Sequence, residues 1–324
     1  MRLLAAPDKF RGTLTAAQAA RAIAAGAEGL PWTVREVPLA DGGEGTLEAL
    51  GGGNRSTVVT GPLGEPVEAA WRLQEGVAVV ETARASGLAL AGGAEANDPV
   101  RASTRGTGEL IAAALEAGAQ RVIVGVGGSA TTDGGLGALQ VLRPYAPLPV
   151  EVACDVETRF VDAAAVYGPQ KGATPAQIDE LTQRLRELAE DYRREFGIDL
   201  ETLPRTGAAG GLSGALAALG AVLAPGFELI AEAVGLDAEL READLVVTGE
   251  GLLDATSFAG KVVGGVVDHA DGRPVLVVAG DVELPAAGAL QAVSLVERFG
   301  RERALREAGA CVAEVVRDEL RRRG

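Results

Sequence analysis

The glycines of this chain gather in clusters, and the clusters sit where short apolar runs end. Asp41-Gly42-Gly43-Glu44-Gly45, Gly125-Val126-Gly127-Gly128-Ser129, Gly207-Ala208-Ala209-Gly210-Gly211 and Thr248-Gly249-Glu250-Gly251 are the densest of them. With 45 glycines in 324 residues, usage is about twice the ordinary share of roughly 7%. Neither a collagen period nor a Gly/Ser linker accompanies it. Glycine between structured segments marks turns where the backbone must go left-handed or let a ligand come close. Such turns, set between buried strands and amphipathic helices, confine the chain to α/β architectures.

The runs themselves alternate. Arg2–Ala6 and Val34–Leu39 read as strands around a helix that opens on the capping box Thr15-Ala16-Ala17-Gln18 and stops at Gly29. Thr57–Thr60, Pro66–Leu73 and Val77–Thr82 follow without intervening helices, which predicts antiparallel or mixed pairing. A helix over Glu109–Ala117 leads to the strands Arg121–Val126 and Glu151–Cys154. The clearest helix begins at Thr174-Pro175-Ala176-Gln177, and Ile178, Leu181, Leu185, Leu188, Tyr192 and Phe196 keep its apolar steps of three and four. Asp244–Thr248, Pro274–Ala279 and Ala292–Val296 return to buried-strand character, and a last helix covers Arg301–Arg322. The ends therefore predict a parallel α/β domain, 1–48 plus 241–324. A mixed α/β domain, 49–240, is inserted between them.

Composition removes whole classes of function. The 30 basic against 45 acidic residues leave a net charge of −15, which disfavours phosphate-backbone and anionic-membrane partners. Aromatics at 3% are too few for base-stacking platforms. No apolar run approaches the ~20 residues of a membrane span, so a cytoplasmic protein is expected. Cys154 and Cys311 read as buried free thiols, and His269, the lone histidine, as the end of a helix. Imidazole-based hydrolysis and mixed Cys/His zinc sites have almost nothing to build on.

What remains is oxygen chemistry at strand ends. In open α/β sheets ligands bind beyond the carboxyl ends of strands. Asp8 follows the first strand, Asp41 and Glu44 the second, Glu250 the run Asp244–Thr248, and Asp281 the run Pro274–Ala279. Gly125–Ala130 formally fits the dinucleotide fingerprint, but Thr131-Thr132-Asp133-Gly134-Gly135 continues it as a phosphate nest with hydroxyls beside a metal would. Only Lys9, Lys171 and Lys261 are lysines beside 27 arginines. Each lies next to turn residues, where a compact ammonium suits phosphate neutralisation.

The order of motifs resembles the bacterial glycerate kinases of the glycerate 2-kinase type. Ala6-Pro7-Asp8-Lys9-Phe10, Asp41-Gly42-Gly43-Glu44-Gly45-Thr46, Thr60-Gly61-Pro62-Leu63-Gly64, Ala85-Ser86-Gly87-Leu88 and Gly106-Thr107-Gly108-Glu109-Leu110 carry the first half. Gly127-Gly128-Ser129-Ala130-Thr131, Ala153-Cys154-Asp155-Val156, Gly168-Pro169-Gln170-Lys171-Gly172, Gly207–Gly211 and Thr248–Gly251 carry the second. Arg11, Thr132 and Thr256 depart from the usual pattern, and Leu142–Val150 replaces a longer family segment.

The resemblance implies a flavodoxin-like domain, an inserted domain and a cleft between them. It also implies phosphorylation of D-glycerate by ATP with Mg²⁺, favouring 2-phosphoglycerate, in a protein able to form a homodimer. Within it, Asp8, Asp41, Asp133 and Glu250 are expected to be catalytic, with Asp133 and Glu250 on the metal. Lys9, Gly127, Gly128, Ser129, Thr131 and Lys261 are expected on nucleotide or phosphate, and Glu44, Ser86, Thr107 and Asp155 on substrate. A Rossmann-type NAD-dependent oxidoreductase built on Gly125–Ala130 and a non-catalytic nucleotide or sugar-acid binder are the alternatives.

Overall fold

A computed structural model describes residues 1–258, 260–283 and 291–323. The expected first domain also includes 259, 284–290 and 324, which lie outside the described residues. Eleven strands are described. The first six are β1 (Arg2–Ala5), β2 (Thr33–Glu36), β3 (Arg55–Thr60), β4 (Pro66–Gln74), β5 (Val77–Glu81) and β6 (Arg121–Gly125). They continue as β7 (Val150–Ala153), β8 (Val222–Ala224), β9 (Leu245–Leu253), β10 (Val275–Val282) and β11 (Gln291–Ser294). The chain divides into two compact units, one of Met1–Asp41, Glu48–Leu50 and Phe227–Gly324, the other of Gly42–Leu47 and Gly51–Gly226.

The first unit is built on a five-stranded sheet ordered β11-β10-β9-β1-β2, with every pairing parallel. Counted by the unit's own strands the order is 2-1-3-4-5, the flavodoxin-like winding. Such a sheet must be covered on both faces, which is why its strands are continuous apolar runs. Leu3, Ala5, Leu245, Val247, Leu276 and Val278 pack with Ile23, Val312 and Val316 from helices Ala16–Gly26 and Ala308–Arg323. The alternate residues Leu4, Ala6 and Val246 pack with Ile230, Leu236, Val262 and Val266. Helices Gly226–Val234 and Leu236–Arg241, which the sequence reading assigned to the inserted segment, thus cover this sheet through Phe227, Ile230, Leu236 and Leu240. The expected last helix is broken at Glu307 into Arg301–Arg306 and Ala308–Arg323.

The second unit carries a six-stranded sheet, β3-β4-β5-β6-β7-β8. β3, β4 and β5 pair antiparallel and β5 through β8 parallel, the mixed sheet that the closely spaced strands predict. Helix Pro175–Phe196 starts on the reciprocal Thr174–Gln177 capping box and ends at Gly197, whose φ of 71° is left-handed. Leu181, Leu185, Leu188 and Tyr192 are its buried stripe. The Tyr192 hydroxyl donates to the Gly134 carbonyl at 3.1 Å, so this helix fixes the far end of the glycine-rich segment after β6. No described helix is long and apolar enough to cross a membrane.

Candidate active site

In the first unit the chain order reverses direction between β1 and β9, the position where doubly wound sheets open a ligand crevice. Asp8 and Lys9 leave β1 there, and Glu250 lies on β9. The Asp8 amide donates to the Gly249 carbonyl at 2.9 Å, and the Leu39 amide to the Pro7 carbonyl at 3.0 Å. These bonds tie the segments bearing Asp8, Asp41 and Glu250 together. Lys9 Nζ lies 3.8 Å from Asp8 Oδ1 and 3.9 Å from Asp41 Oδ1. Asp8 is 7% exposed. Burial pushes its carboxyl up to about 6; Lys9 opposes the rise, and Asp41 and Glu250 add to it.

Glu250 corrects one expectation. It does not sit in a turn after a strand, because β9 continues through it to Leu253 and pairs Glu250 with Ala279 of β10. The flanking glycines serve close approach. A Cβ on Gly249 would lie 1.9 Å from the Val278 carbonyl oxygen, and one on Gly251 would lie 3.0 Å from the Arg11 amide. Burial also raises the Glu250 carboxyl, against the Ser257 hydroxyl and Lys261, and its Oε1 is buried with no hydrogen-bond partner. Lys261 precedes helix Val262–His269, and its Nζ donates to Thr256 Oγ1 at 2.7 Å. Thr256 Oγ1 in turn donates to Asp254. A separate cavity of about 250 Å³ is lined by Phe10, Arg11, Gly251, Gly280 and Arg301, and by none of Asp8, Lys9, Asp41, Glu250 and Lys261.

In the second unit two glycine clusters close on each other. The Val126 amide donates to the Gly42 carbonyl at 3.0 Å, and a Cβ on Gly127 would lie 2.6 Å from Gly43 Cα. Among the described residues, the amides of Gly127, Gly128 and Ser129 donate to no acceptor. Consecutive uncommitted N–H groups form an anion nest. The loop does not open directly into a helix: Ser129 bridges to Gly87, and the next helix, Leu136–Leu142, starts seven residues later. A dinucleotide fingerprint needs the helix at once, so the oxidoreductase reading loses its only support.

Asp133, expected to be catalytic and metal-binding, is committed elsewhere. Its carboxylate accepts from the Thr104 amide and hydroxyl, each at 2.9 Å, and from the Gly135 and Gly137 amides at 3.1 and 3.2 Å. Ser103 Oγ adds a longer bond at 3.5 Å. Oδ2 is filled by these donors and Oδ1 is held by the Gly135 amide, so this carboxylate locks a loop and starts a helix. Ser86 and Thr107, expected on substrate, are wholly buried and bonded to each other at 2.8 Å. Thr131 is buried with its hydroxyl on the Ala209 carbonyl. Asp155 accepts from the Gly226 amide at 2.6 Å. Glu44 stays exposed beside Gly128.

Two residues outside the expected set matter. Glu81 closes an otherwise apolar strand, Val77–Glu81. Its carboxylate holds the Asp41–Gly45 loop by accepting from the Gly45 and Leu47 amides at 2.9 and 3.0 Å. An acid ending a run of valines was the available signal. Lys171 is 3% exposed, and burial lowers its ammonium to about 7, with Asp133 opposing the shift. Its rarity among arginines drew notice in the sequence, but its burial could not be read there.

The model of the glycerate kinase family matches residues 3–145 and 140–322. The two stretches overlap at 140–145, where this chain makes a single turn at Arg143–Tyr145 before β7. Glycerate 2-kinase of Escherichia coli (strain K12) is 39% identical over 327 residues, covering 87% of this chain and 86% of its own. Glycerate kinase of Bacillus subtilis (strain 168) is 39% identical, covering 87% and 85%. A glycerate kinase 2 candidate from Salmonella typhimurium LT2, known from its crystal structure, aligns at a TM-score of 0.87 with 36% identity, over 99% of this chain and 98% of that one. The chain belongs to the glycerate kinase family.

Proposed function

We propose that this protein transfers the γ-phosphoryl group of ATP to the 2-hydroxyl of D-glycerate, giving ADP and 2-phosphoglycerate. The observation that carries the reading is the Asp8–Lys9–Asp41 cluster with Glu250 at the β1/β9 switch point, in a chain of this family. The name of the Escherichia coli relative, glycerate 2-kinase, supports the 2-position.

Phosphoryl transfer needs positioning, charge neutralisation and an oriented hydroxyl. With a carboxyl held at about 6, Asp8 is ionised at neutral pH and is basic enough to accept the proton of the attacking hydroxyl. The new O–P bond forms as the bond from the γ-phosphorus to the bridging oxygen breaks. Lys9, between Asp8 and Asp41, holds the two carboxylates and offsets charge on the phosphates. Glu250, with a buried oxygen lacking a partner, fits the carboxylate share of a Mg²⁺ site, which typically takes one or two carboxylates plus substrate phosphates. The ion would neutralise charge spreading over the β- and γ-oxygens. Lys261 would add a second cation for phosphate. In the second unit, the uncommitted amides of Gly127, Gly128 and Ser129 would receive an oxyanion of donor or acceptor.

Coupled measurement of ADP release with D-glycerate, ATP and Mg²⁺ tests this. Turnover that needs all three supports the reading. Ligand-induced thermal stabilisation without turnover would replace it with a binding protein.

A further inference from the structure

Lys171 is a buried cation that the mechanism above does not use. It lies at the end of the short turn Pro169–Lys171, and its side chain reaches the loop after β6. Nζ donates to Ser129 Oγ at 2.9 Å and to the Thr131 carbonyl at 2.6 Å. The Tyr167 ring centre lies 5.9 Å away. No carboxylate among the described residues comes within ion-pair distance of it. Asp133 acts on it only through space, its own oxygens being held by Thr104, Gly135 and Gly137.

A buried ammonium without a paired anion is costly. A methionine would fill the same channel at lower cost, so the position calls for an anion that the protein alone does not supply. The neighbouring loop offers the place for one. A hydroxyl has one proton and two lone pairs. Because Lys171 donates into one Ser129 lone pair, the Ser129 proton is left free to be donated to another acceptor. The loop then presents four donors in sequence: the amides of Gly127, Gly128 and Ser129, and the Ser129 hydroxyl.

We propose that Lys171 is a positioning residue which sets Ser129 as a donor and charges the Gly127–Ser129 loop, making it an oxyanion site. The anion is a phosphate group of the donor or the carboxylate of the acceptor. This rests on the kinase reading only for those two names.

The test uses the full-length protein and Lys171→Met, Ser129→Ala and the double variant. Lys171→Met should raise one KM by roughly 10- to 100-fold, as loss of a hydrogen bond to a charged group does. A rise for ATP assigns the loop to a phosphate, and a rise for D-glycerate assigns it to the carboxylate. The two single effects should not add, because both act through one hydroxyl. Additive losses, or both KM values unchanged in folded Lys171→Met, would overturn the proposal. Should Lys171→Met fail to fold, Ser129→Ala carries the test alone: one KM must rise by a larger factor than kcat falls.

Calorimetric titration with inorganic phosphate reads the loop without turnover. The parent should bind it and Ser129→Ala should bind it at least fivefold more weakly. That result in a protein inactive on glycerate would sink the kinase reading and keep this one. Equal phosphate binding by parent and variant would sink this one whatever the activity.

Discussion

The two units hold acids in opposite ways. In the first, Asp8 is buried and Glu250 half-buried beside other carboxylates, and both carboxyls are pushed up by desolvation. Asp8 accepts one backbone hydrogen bond, from the Lys9 amide at 2.7 Å, and Lys9 Nζ stands off at 3.8 Å from Asp8 and 3.9 Å from Asp41. In the second, Asp133 and Glu81 are surrounded by donor groups at hydrogen-bond distance. A carboxylate whose lone pairs are filled by backbone amides stabilises the fold and has little left to offer a ligand. One left short of donors destabilises the fold and is available for chemistry. Glycines permit close backbone approach in both units, but beside the two candidate sites they serve differently. Gly249 admits a neighbouring strand's carbonyl in the first unit, whereas Gly127 and Gly128 expose amides in the second.

The contrast can be broken by substitution. The largest effect should come from Asp8→Asn, which removes the hydroxyl's proton acceptor; kcat/KM should fall by roughly 10³-fold or more at pH 7.5. A loss below tenfold would move the base elsewhere. Next, Asp133→Ala should cost about 3 kcal/mol of folding stability, because it strands the Thr104, Gly135 and Gly137 donors. Urea denaturation reads this. Lost activity with unchanged stability would restore Asp133 to the chemistry. The parent's kcat/KM should also fall about tenfold per pH unit on the acid side of about pH 6, where Asp8 takes up its proton. A flat profile down to pH 5 would clear Asp8 of that role. The smallest effect should be Lys261→Arg, a few-fold rise in the KM for ATP, because Lys261 is already held by Thr256 and keeps its charge on replacement.

Much of the fold was legible because period and caps are local signals. The Thr15 and Thr174 capping boxes form as read, and the three helix-free strands do make the antiparallel part of the second sheet. Helices Leu136–Leu142 and Leu212–Ala218 were missed; they are rich in Ala, Gly and Leu and carry too few polar residues to mark a face. Gly249-Glu250-Gly251 read as a turn because glycine's conformational freedom is visible in sequence, and the Val278 carbonyl that requires it is not. The acids at strand ends could be listed, but whether each meets donors or other acids depends on distant segments. Asp133 and Asp8 look alike in sequence, and Thr104 and Glu250 make them different.

Asp8 also allows stability and function to be set against each other. Its folded carboxyl sits at about 6 against an ordinary 3.8, so the folded state binds its proton more tightly than the unfolded chain. That advantage is whole below about pH 4 and is lost as the pH rises through 6. At pH 7.5 the ionised side chain therefore costs the fold about 3 kcal/mol. An amide carries no such cost. Urea denaturation of the parent and Asp8→Asn across pH 4 to 7.5 measures the difference directly. The account predicts that the variant gains on the parent by up to about 3 kcal/mol over that range while remaining inactive. A stability difference that stays constant or reverses with pH would mean that Asp8 is an ordinary structural acid.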